Sequence, residues 1–465
     1  MSEAIGPIHV SLAGRGDLTT RIYGELKDAI LDGRLRPGER LPPTRELAQR
    51  LEVARNTVAA AYERLTAEGF LTARVGAGTF VGPLSQMRRR SAPAGGDVRA
   101  RPIWASVKPM TAQPPGTYDF RVGLPDWRLF PLETWRRLVA GELRAAVLRS
   151  ADYRDPMGHP ALRAAIARYI GISRSVRASA GDVLVTHGAQ QGLDLISRVL
   201  IEPGACVAVE EPGYPPARQL FQSHGASVVG VPVDAEGLDV SAIPRAAKLV
   251  YVTPSHQFPT GTPMTLSRRT ALLEWAQRRG GVIIEDDYDS EFRYSDRPLE
   301  PLQSLDRAGR VIYVGSFSKT MLPMLRVGFV IAPGSLQPAL HAAKQLADWR
   351  GDLVTQGALA RFIDDGLLSR HIRKATRVYA ARHELITTTL AKDFAPFLDV
   401  VPSVAGLHLC AYVRPDAYYE PVAWIEPLAR YSLETVHTGL VIGFGVIQLD
   451  QITPGLRRLA RAFTR

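Results

Sequence analysis

Cysteine is nearly absent from these 465 residues: Cys206 and Cys410 are the only two. Two isolated thiols exclude a disulfide framework and a cysteine-rich zinc site. Long apolar runs are missing as well, and none approaches the roughly 18 residues a membrane span requires. The N-terminal stretch lacks the charged-then-apolar layout of a signal peptide. A hydrophobic share of 46% against 22% charged residues argues against a disordered or fibrous chain. The expectation is a cytoplasmic protein with no membrane partner, too long for one ordinary domain.

Positive charge is in surplus, with 57 Lys+Arg against 46 Asp+Glu and a formal net charge of +11. The surplus is uneven. Residues 1–110 hold 17 basic and 11 acidic side chains, while the remaining 355 hold 40 and 35. More than half of the excess therefore sits in less than a quarter of the chain, a distribution that points to nucleic acid.

In that basic quarter, residues 19–33 have apolar spacing for a helix, with Ile22, Tyr23, Leu26, Ala29 and Ile30 on one face and Gly33 to end it. A connector broken by Pro37-Gly38 and Pro42-Pro43 leads to a short helix from Thr44 to Leu51. A third helix spans Arg55 to Glu68, and Phe70 to Val81 reads as a hairpin around Gly76-Ala77-Gly78. Three helices and a hairpin make a winged helix-turn-helix, whose third helix enters the major groove of double-stranded DNA. Arg55, Asn56 and Thr57 then face base edges, because Arg pairs bidentately with guanine and Asn with adenine. Arg45 is placed for a backbone phosphate, and Arg74 with the Gly76, Gly78 and Thr79 tip for the flanking groove.

Residues 83–117 carry six prolines and the run Arg88-Arg89-Arg90 and read as an extended linker. From 118 to 465, short apolar runs alternate with helical stretches: Val183–Thr186, Cys206–Val209, Val228–Val231, Leu249–Thr253, Val282–Ile284, Val311–Val314 and Val327–Ile331. That alternation predicts a mostly parallel sheet covered on both faces, an α/β fold. Residues 335–465 read as a smaller α+β lobe, with strands at Leu407–Val413 and Leu440–Gln448.

Within the large domain, Ser316-Phe317-Ser318-Lys319 follows a predicted strand. A lysine there can condense with an aldehyde, and hydroxyls and backbone N–H groups can hold a phosphate. Asp286 ends another strand, at the edge where ligands bind in open α/β sheets, and can keep a pyridine nitrogen protonated. Ala189 and Gln190 open a helix whose N-terminus suits a phosphate. Arg326 adds a fixed charge, and Tyr214 a flat face to stack on a ring.

These residues carry a resemblance. Leu41-Pro42-Pro43-Thr44-Arg45-Glu46-Leu47-Ala48, Ala54-Arg55-Asn56-Thr57-Val58 and Gly76-Ala77-Gly78-Thr79-Phe80-Val81 resemble the GntR-type winged helix over residues 18–82. Ala54 departs from it, standing where that family usually has a capping Ser, a loss of roughly 0.5–2 kcal/mol. Residues 118–465 resemble a fold-type-I, aminotransferase-like domain that binds pyridoxal phosphate. The resemblance implies a Schiff base with Lys319, Asp286 on the pyridine nitrogen, Tyr288 on the ring's phenolic oxygen and Tyr214 stacked on the ring. Ala189, Gln190, Ser316, Ser318 and Arg326 would hold the phosphate. The tandem is similar to the MocR/GabR regulators, which implies a head-to-tail homodimer.

Two departures bear on chemistry. Aminotransferases usually have Asn-Pro-x-Gly where Phe258-Pro259-Thr260-Gly261 stands. They also place a carboxylate-gripping Arg near a C-terminal strand, whereas Leu440–Val446 has none and Arg430 lies nearby only in sequence. The expectation is a transcription regulator that senses an amine effector or the cofactor itself. The alternative is an active aminotransferase fused to a DNA-binding domain. His159, His187 and His256 are not at metal spacings, so no metal is expected.

Overall fold

The computed structural model describes residues 17–74, 76–83, 97–107, 116–144, 155–294, 300–434 and 436–464. Contacts divide the chain into two compact units, with the boundary between Ala100 and Arg101.

The first unit has three helices, α1 (Leu18–Leu31), α2 (Thr44–Arg50) and α3 (Arg55–Ala67). An antiparallel hairpin of β1 (Leu71–Arg74) and β2 (Gly78–Val81) follows. Asp17 caps α1 by accepting from the Thr20 amide at 2.9 Å. The buried face of α1 is Ile22, Tyr23, Leu26, Ala29 and Ile30, the stripe its spacing predicts. It packs on Val58, Ala61, Tyr62 and Leu65 of α3. The Tyr62 hydroxyl donates to the Pro42 carbonyl at 2.9 Å and ties the connector to α3.

The second unit is built on an eight-stranded sheet. Its strands are β3 (Val183–Thr186), β4 (Cys206–Glu211), β5 (Ser227–Asp234), β6 (Gly237–Leu238), β7 (Ala247–Val252), β8 (Val282–Asp287), β9 (Val311–Ser316) and β10 (Gly328–Ile331). The order is β3-β10-β9-β8-β7-β4-β5-β6. The ladders joining β9, β8, β7, β4 and β5 are parallel, whereas β10 runs antiparallel to both β3 and β9. Both sheet faces are covered: Val183 and Val185 enter one core while Leu184 between them enters another. That two-sided burial explains why these strands read as continuous apolar runs.

A smaller lobe adds the 27-residue helix Leu367–Asp393 and the strands β11 (Leu398–Val400), β12 (His408–Val413), β13 (Tyr418–Tyr419), β14 (Glu426–Pro427), β15 (Gly439–Gly443) and β16 (Phe463–Thr464). β11-β12-β15-β14 form one antiparallel sheet, and β13 pairs with β16. No helix among the described residues is long and apolar enough to cross a membrane.

The structure departs from the sequence reading in three places. The helix Leu353–Asp364 belongs to the large core, because Ala358, Leu359 and Phe362 pack with Leu138 and Ile166. The expected strand Leu440–Gln448 stops at Gly443, and a helix runs from Leu449 to Ala460. There the backbone turns to another segment: the Gly443 amide donates to the Phe120 carbonyl at 3.0 Å, and a Cβ at Gly445 would lie 1.9 Å from the Leu124 carbonyl oxygen. Within the proline-rich stretch, Ile103–Ser106 forms one helical turn, and Arg101 Nη2 donates to the Ser223 carbonyl at 3.2 Å. Arg88, Arg89 and Arg90 lie outside the described residues.

Candidate functional site

In the first unit, Arg55 and Asn56 occupy the exposed first turn of α3, with Thr57 half-buried behind them. Ala54 supplies no side-chain cap. Arg45 is exposed in the first turn of α2. On the hairpin, the Arg74 guanidinium lies 4.9 Å over the Phe80 ring, which stiffens a long side chain. Gly76 and Gly78 are exposed with φ of +76° and +114°. Arg45, Arg55 and Arg74 have no carboxylate partner among the described residues, so their charges face outward.

The second unit gathers its candidate residues at one cavity of about 190 Å³. Ala189, Gln190, Tyr214, Asp286, Tyr288, Ser316, Ser318, Lys319 and Arg326 all line it. The topology explains the convergence. β3, β4, β8 and β9 end on the same edge, and the residues just beyond them supply the walls.

One end of the cavity is a cup for an anion. The first-turn amides of the helix Gly188–Leu200 lack intrahelical partners and carry the positive end of its dipole. Arg326 Nη2 donates to the His187 carbonyl at 2.8 Å, which holds the guanidinium at that helix start. A Cβ on Gly188, at φ +73°, would lie 2.8 Å from Arg326 Nη2. Ser316 Oγ sits 3.0 Å from Ser318 Oγ across the cup.

Lys319 also lines the cavity, its Nζ donating to the Gly123 carbonyl at 2.5 Å. Burial pulls this amine below the ordinary lysine range, against the pull of Asp289 and Asp286. Asp286 is buried at the end of β8. Its Oδ2 accepts from Tyr251 at 2.8 Å, while Oδ1 has no hydrogen-bond partner among the described residues. Burial, with repulsion from Asp287, pushes its carboxyl up to about 7. A buried carboxylate with an open oxygen, an anion cup and a lysine are the donor set a phosphorylated pyridine aldehyde needs, so the residues fit pyridoxal phosphate.

Phe258 also lines the cavity. Its ring meets Tyr214, Tyr288 and Tyr431 edge to face, with centroids 5.4, 5.9 and 5.1 Å away. Tyr214 therefore presents a braced aromatic face. The Tyr288 hydroxyl donates to the His256 carbonyl at 2.9 Å and lies 3.0 Å from His256 Nδ1. Arg430 does not reach the cavity; it is paired with Glu426 at 3.0 Å.

Sequence reasoning missed Tyr251, Thr253, Gly123 and His408, which also line the cavity. Tyr251 and His408 lie within apolar strands and read as core, and Gly123 carries no chemical signal. The fold also brings His256, Asp289 and His408 donor atoms within 4.8 Å of one another, a grouping no sequence spacing showed. Hydrogen bonds account for most of these atoms. His256 Nδ1 faces Asp289 at 3.0 Å, Nε2 faces Ser403 Oγ at 3.1 Å, and His408 Nε2 faces the Pro259 carbonyl at 3.1 Å.

Glu210, at the end of β4, is also deeply buried. It accepts from the Thr253 amide and hydroxyl at 3.1 and 2.6 Å, yet burial raises it to about 7. The folded chain thus holds a proton here that the unfolded chain, with an ordinary value of 4.5, releases earlier. Stability from this group is present below about 4.5 and is lost as pH rises through about 7. Glu210→Gln is expected to flatten the decline in cofactor-free melting temperature across that window. Parallel wild-type and variant curves would contradict it.

A winged helix joined to a fold-type-I domain with this cavity defines a DNA-binding regulator with a pyridoxal-phosphate-binding, aminotransferase-like domain. Residues 18–81 match the bacterial regulatory proteins of the gntR family, and residues 130–419 match aminotransferase class I and II. The chain is 35% identical to the "Probable rhizopine catabolism regulatory protein MocR" of Rhizobium meliloti, across 95% of this chain and 93% of that one. It is 32% identical to the pyridoxine biosynthesis transcriptional regulator PdxR of Corynebacterium glutamicum, across 92% of each. Among solved structures, Pyrococcus horikoshii kynurenine aminotransferase is 28% identical with a TM-score of 0.68, covering 74% of this chain and 89% of its own. The chain belongs to the MocR-type transcription regulators of the GntR family.

Proposed function

We propose that this cytoplasmic regulator binds promoter operators in double-stranded DNA as a head-to-tail homodimer and reads its signal through pyridoxal phosphate, with Lys319 as the covalent anchor. The observation that carries the reading is the buried, open Oδ1 of Asp286 in the cavity that Lys319 and Arg326 also line. When bound, pyridoxal phosphate supplies an aldehyde that condenses with primary amines and a ring that withdraws electrons. Asp286 keeps the proton on the ring nitrogen, Tyr214 stacks on the ring, and Tyr288 turns its hydroxyl to the ring oxygen. Ala189, Gln190, Ser316, Ser318 and Arg326 hold the phosphate.

The signal is an amine that displaces Lys319, or the cofactor itself. Lys319 and Arg326 are the cationic side chains among the described lining residues, and Arg326 is committed to the cup. That arrangement disfavours an α-carboxylate as the recognised group. Titrating the loaded protein with amines bearing or lacking a carboxylate, while following visible absorbance and operator affinity, tests the scheme. An operator affinity indifferent to both cofactor and amines would sink it. Multiple-turnover formation of a carbonyl product from an amine would instead make the protein an enzyme.

On DNA, Arg55, Asn56 and Thr57 read base edges, while Arg45, Arg74, Gly76, Gly78 and Thr79 contact the backbone and flanking groove. Arg45→Ala is expected to weaken binding on all sequences alike and to reduce the slope of log affinity against log salt by about 1. A loss confined to one sequence would reassign Arg45 to base reading.

A further inference from the structure

The cavity is joined to the small lobe by a buried chain of hydrogen bonds that the cofactor assignment does not use. It begins at Tyr288, whose hydroxyl lies against both the carbonyl and Nδ1 of His256, at 2.9 and 3.0 Å. Asp289 accepts from Nδ1 at 3.0 Å, so that nitrogen carries a proton and the single Tyr288 proton goes to the His256 carbonyl. At the far side of the ring, Nε2 lies 3.1 Å from Ser403 Oγ, which is itself 3.1 Å from the Ala405 carbonyl. Ser403 has one proton to give. It donates to Ala405 and accepts from Nε2, or it donates to Nε2 and leaves Ala405.

Packing makes this ring a mechanical link as well as a polar one. A Cβ on Gly406, at φ +80°, would lie 2.0 Å from His256 Cε1, and one on Gly261, at φ +83°, 3.2 Å from Nε2. The imidazole is clasped between the Gly406 and Gly261 backbones, with no room for a Cβ on Gly406. The clasping loop is in turn fastened to the segment that follows β8: the Tyr294 amide donates to Val404 at 2.8 Å, and the Gly406 amide donates to Phe292 at 2.8 Å. His408, the first residue of β12, lies 4.7 Å away ring to ring.

We infer that His256 is a positioning residue that couples the Tyr288 hydroxyl in the cofactor cavity to Ser403 in the small lobe. An oxygen in the cavity that takes the Tyr288 hydroxyl frees the His256 carbonyl. The clasped ring then passes its adjustment to Ser403 and the 403–406 loop. His256 acts through Tyr288 and does not line the cavity itself. This role rests on pyridoxal phosphate occupying the cavity as proposed above.

Hydrogen–deuterium exchange on the full-length protein, with and without pyridoxal phosphate, tests it. In the wild type, exchange at Ser403–His408 is expected to change by roughly tenfold on loading. In Ser403→Ala, which cuts the link outside the cavity, loading and visible absorbance should stay as in wild type while that change falls below about twofold. His256→Asn, which keeps a donor for Asp289 but cannot reach Ser403, should give the same loss and also shift the absorbance band. A Ser403→Ala protein that responds like wild type, or a loaded wild type with unchanged exchange at this loop, overturns the coupling. Failure of the wild type to develop a visible band overturns the cofactor placement, and this inference with it.

Discussion

Lys319→Ala protein is expected to bind pyridoxal phosphate roughly a hundredfold more weakly than wild type, a loss of about 2.8 kcal/mol, and to show no visible absorbance band. Affinity should fall and not vanish, because the phosphate cup of Arg326, Ser316, Ser318 and the helix start at Gly188 is untouched. The geometry explains why the lysine matters. Its Nζ is held by the Gly123 carbonyl at 2.5 Å, and burial lowers its proton affinity. A larger fraction of neutral amine is then available near neutral pH for capture of an aldehyde. Equilibrium dialysis with parallel absorbance measures both consequences. Wild-type affinity together with an intact band in the variant would remove Lys319 from its role.

Arg55→Ala is expected to cost about 1–3 kcal/mol of operator affinity, roughly 5- to 150-fold, while binding to unrelated DNA changes little. The side chain is exposed in the first turn of α3 and has no ion-pair partner among the described residues. Asn56 shares that turn, so the two should define adjacent positions of the site. Mobility shifts on operator and scrambled duplexes at fixed salt separate this loss of reading from the uniform weakening expected for Arg45→Ala. Equal losses on both duplexes would mean that α3 does not read sequence here.

The DNA-binding unit was legible because its signals are local. The α1 stripe repeats within one helix, and Gly76 and Gly78 stand where the hairpin needs φ above zero. The sheet was legible for a different reason: burial on both faces leaves an unbroken apolar run, as in Val183–Thr186. The nine residues expected to hold the cofactor line one cavity; most of them stand at or near strand ends, a place legible in the sequence, whereas the role of Tyr288 came from the resemblance alone. What stayed hidden depends on distance along the chain. Tyr251 reads as core among Leu249, Val250 and Val252 until β8 brings Asp286 beside it. Ser403 is 147 residues from His256, and no periodicity connects them. Ile103–Ser106 is too short to establish a helical period, and the Phe120 and Leu124 carbonyls that meet the chain at Gly443 and Gly445 come from a distant part of the sequence.

The connection from β9 to β10 concentrates the proposed site on one segment. Ser316, Ser318, Lys319 and Arg326 all lie on or beside this one hairpin, so the proposed covalent anchor and most of the side chains proposed to grip the phosphate share a single peptide loop. β10 is inserted between β3 and β9 and bonded to both. A change that distorts this one loop would therefore disturb the proposed anchor and the phosphate grip together.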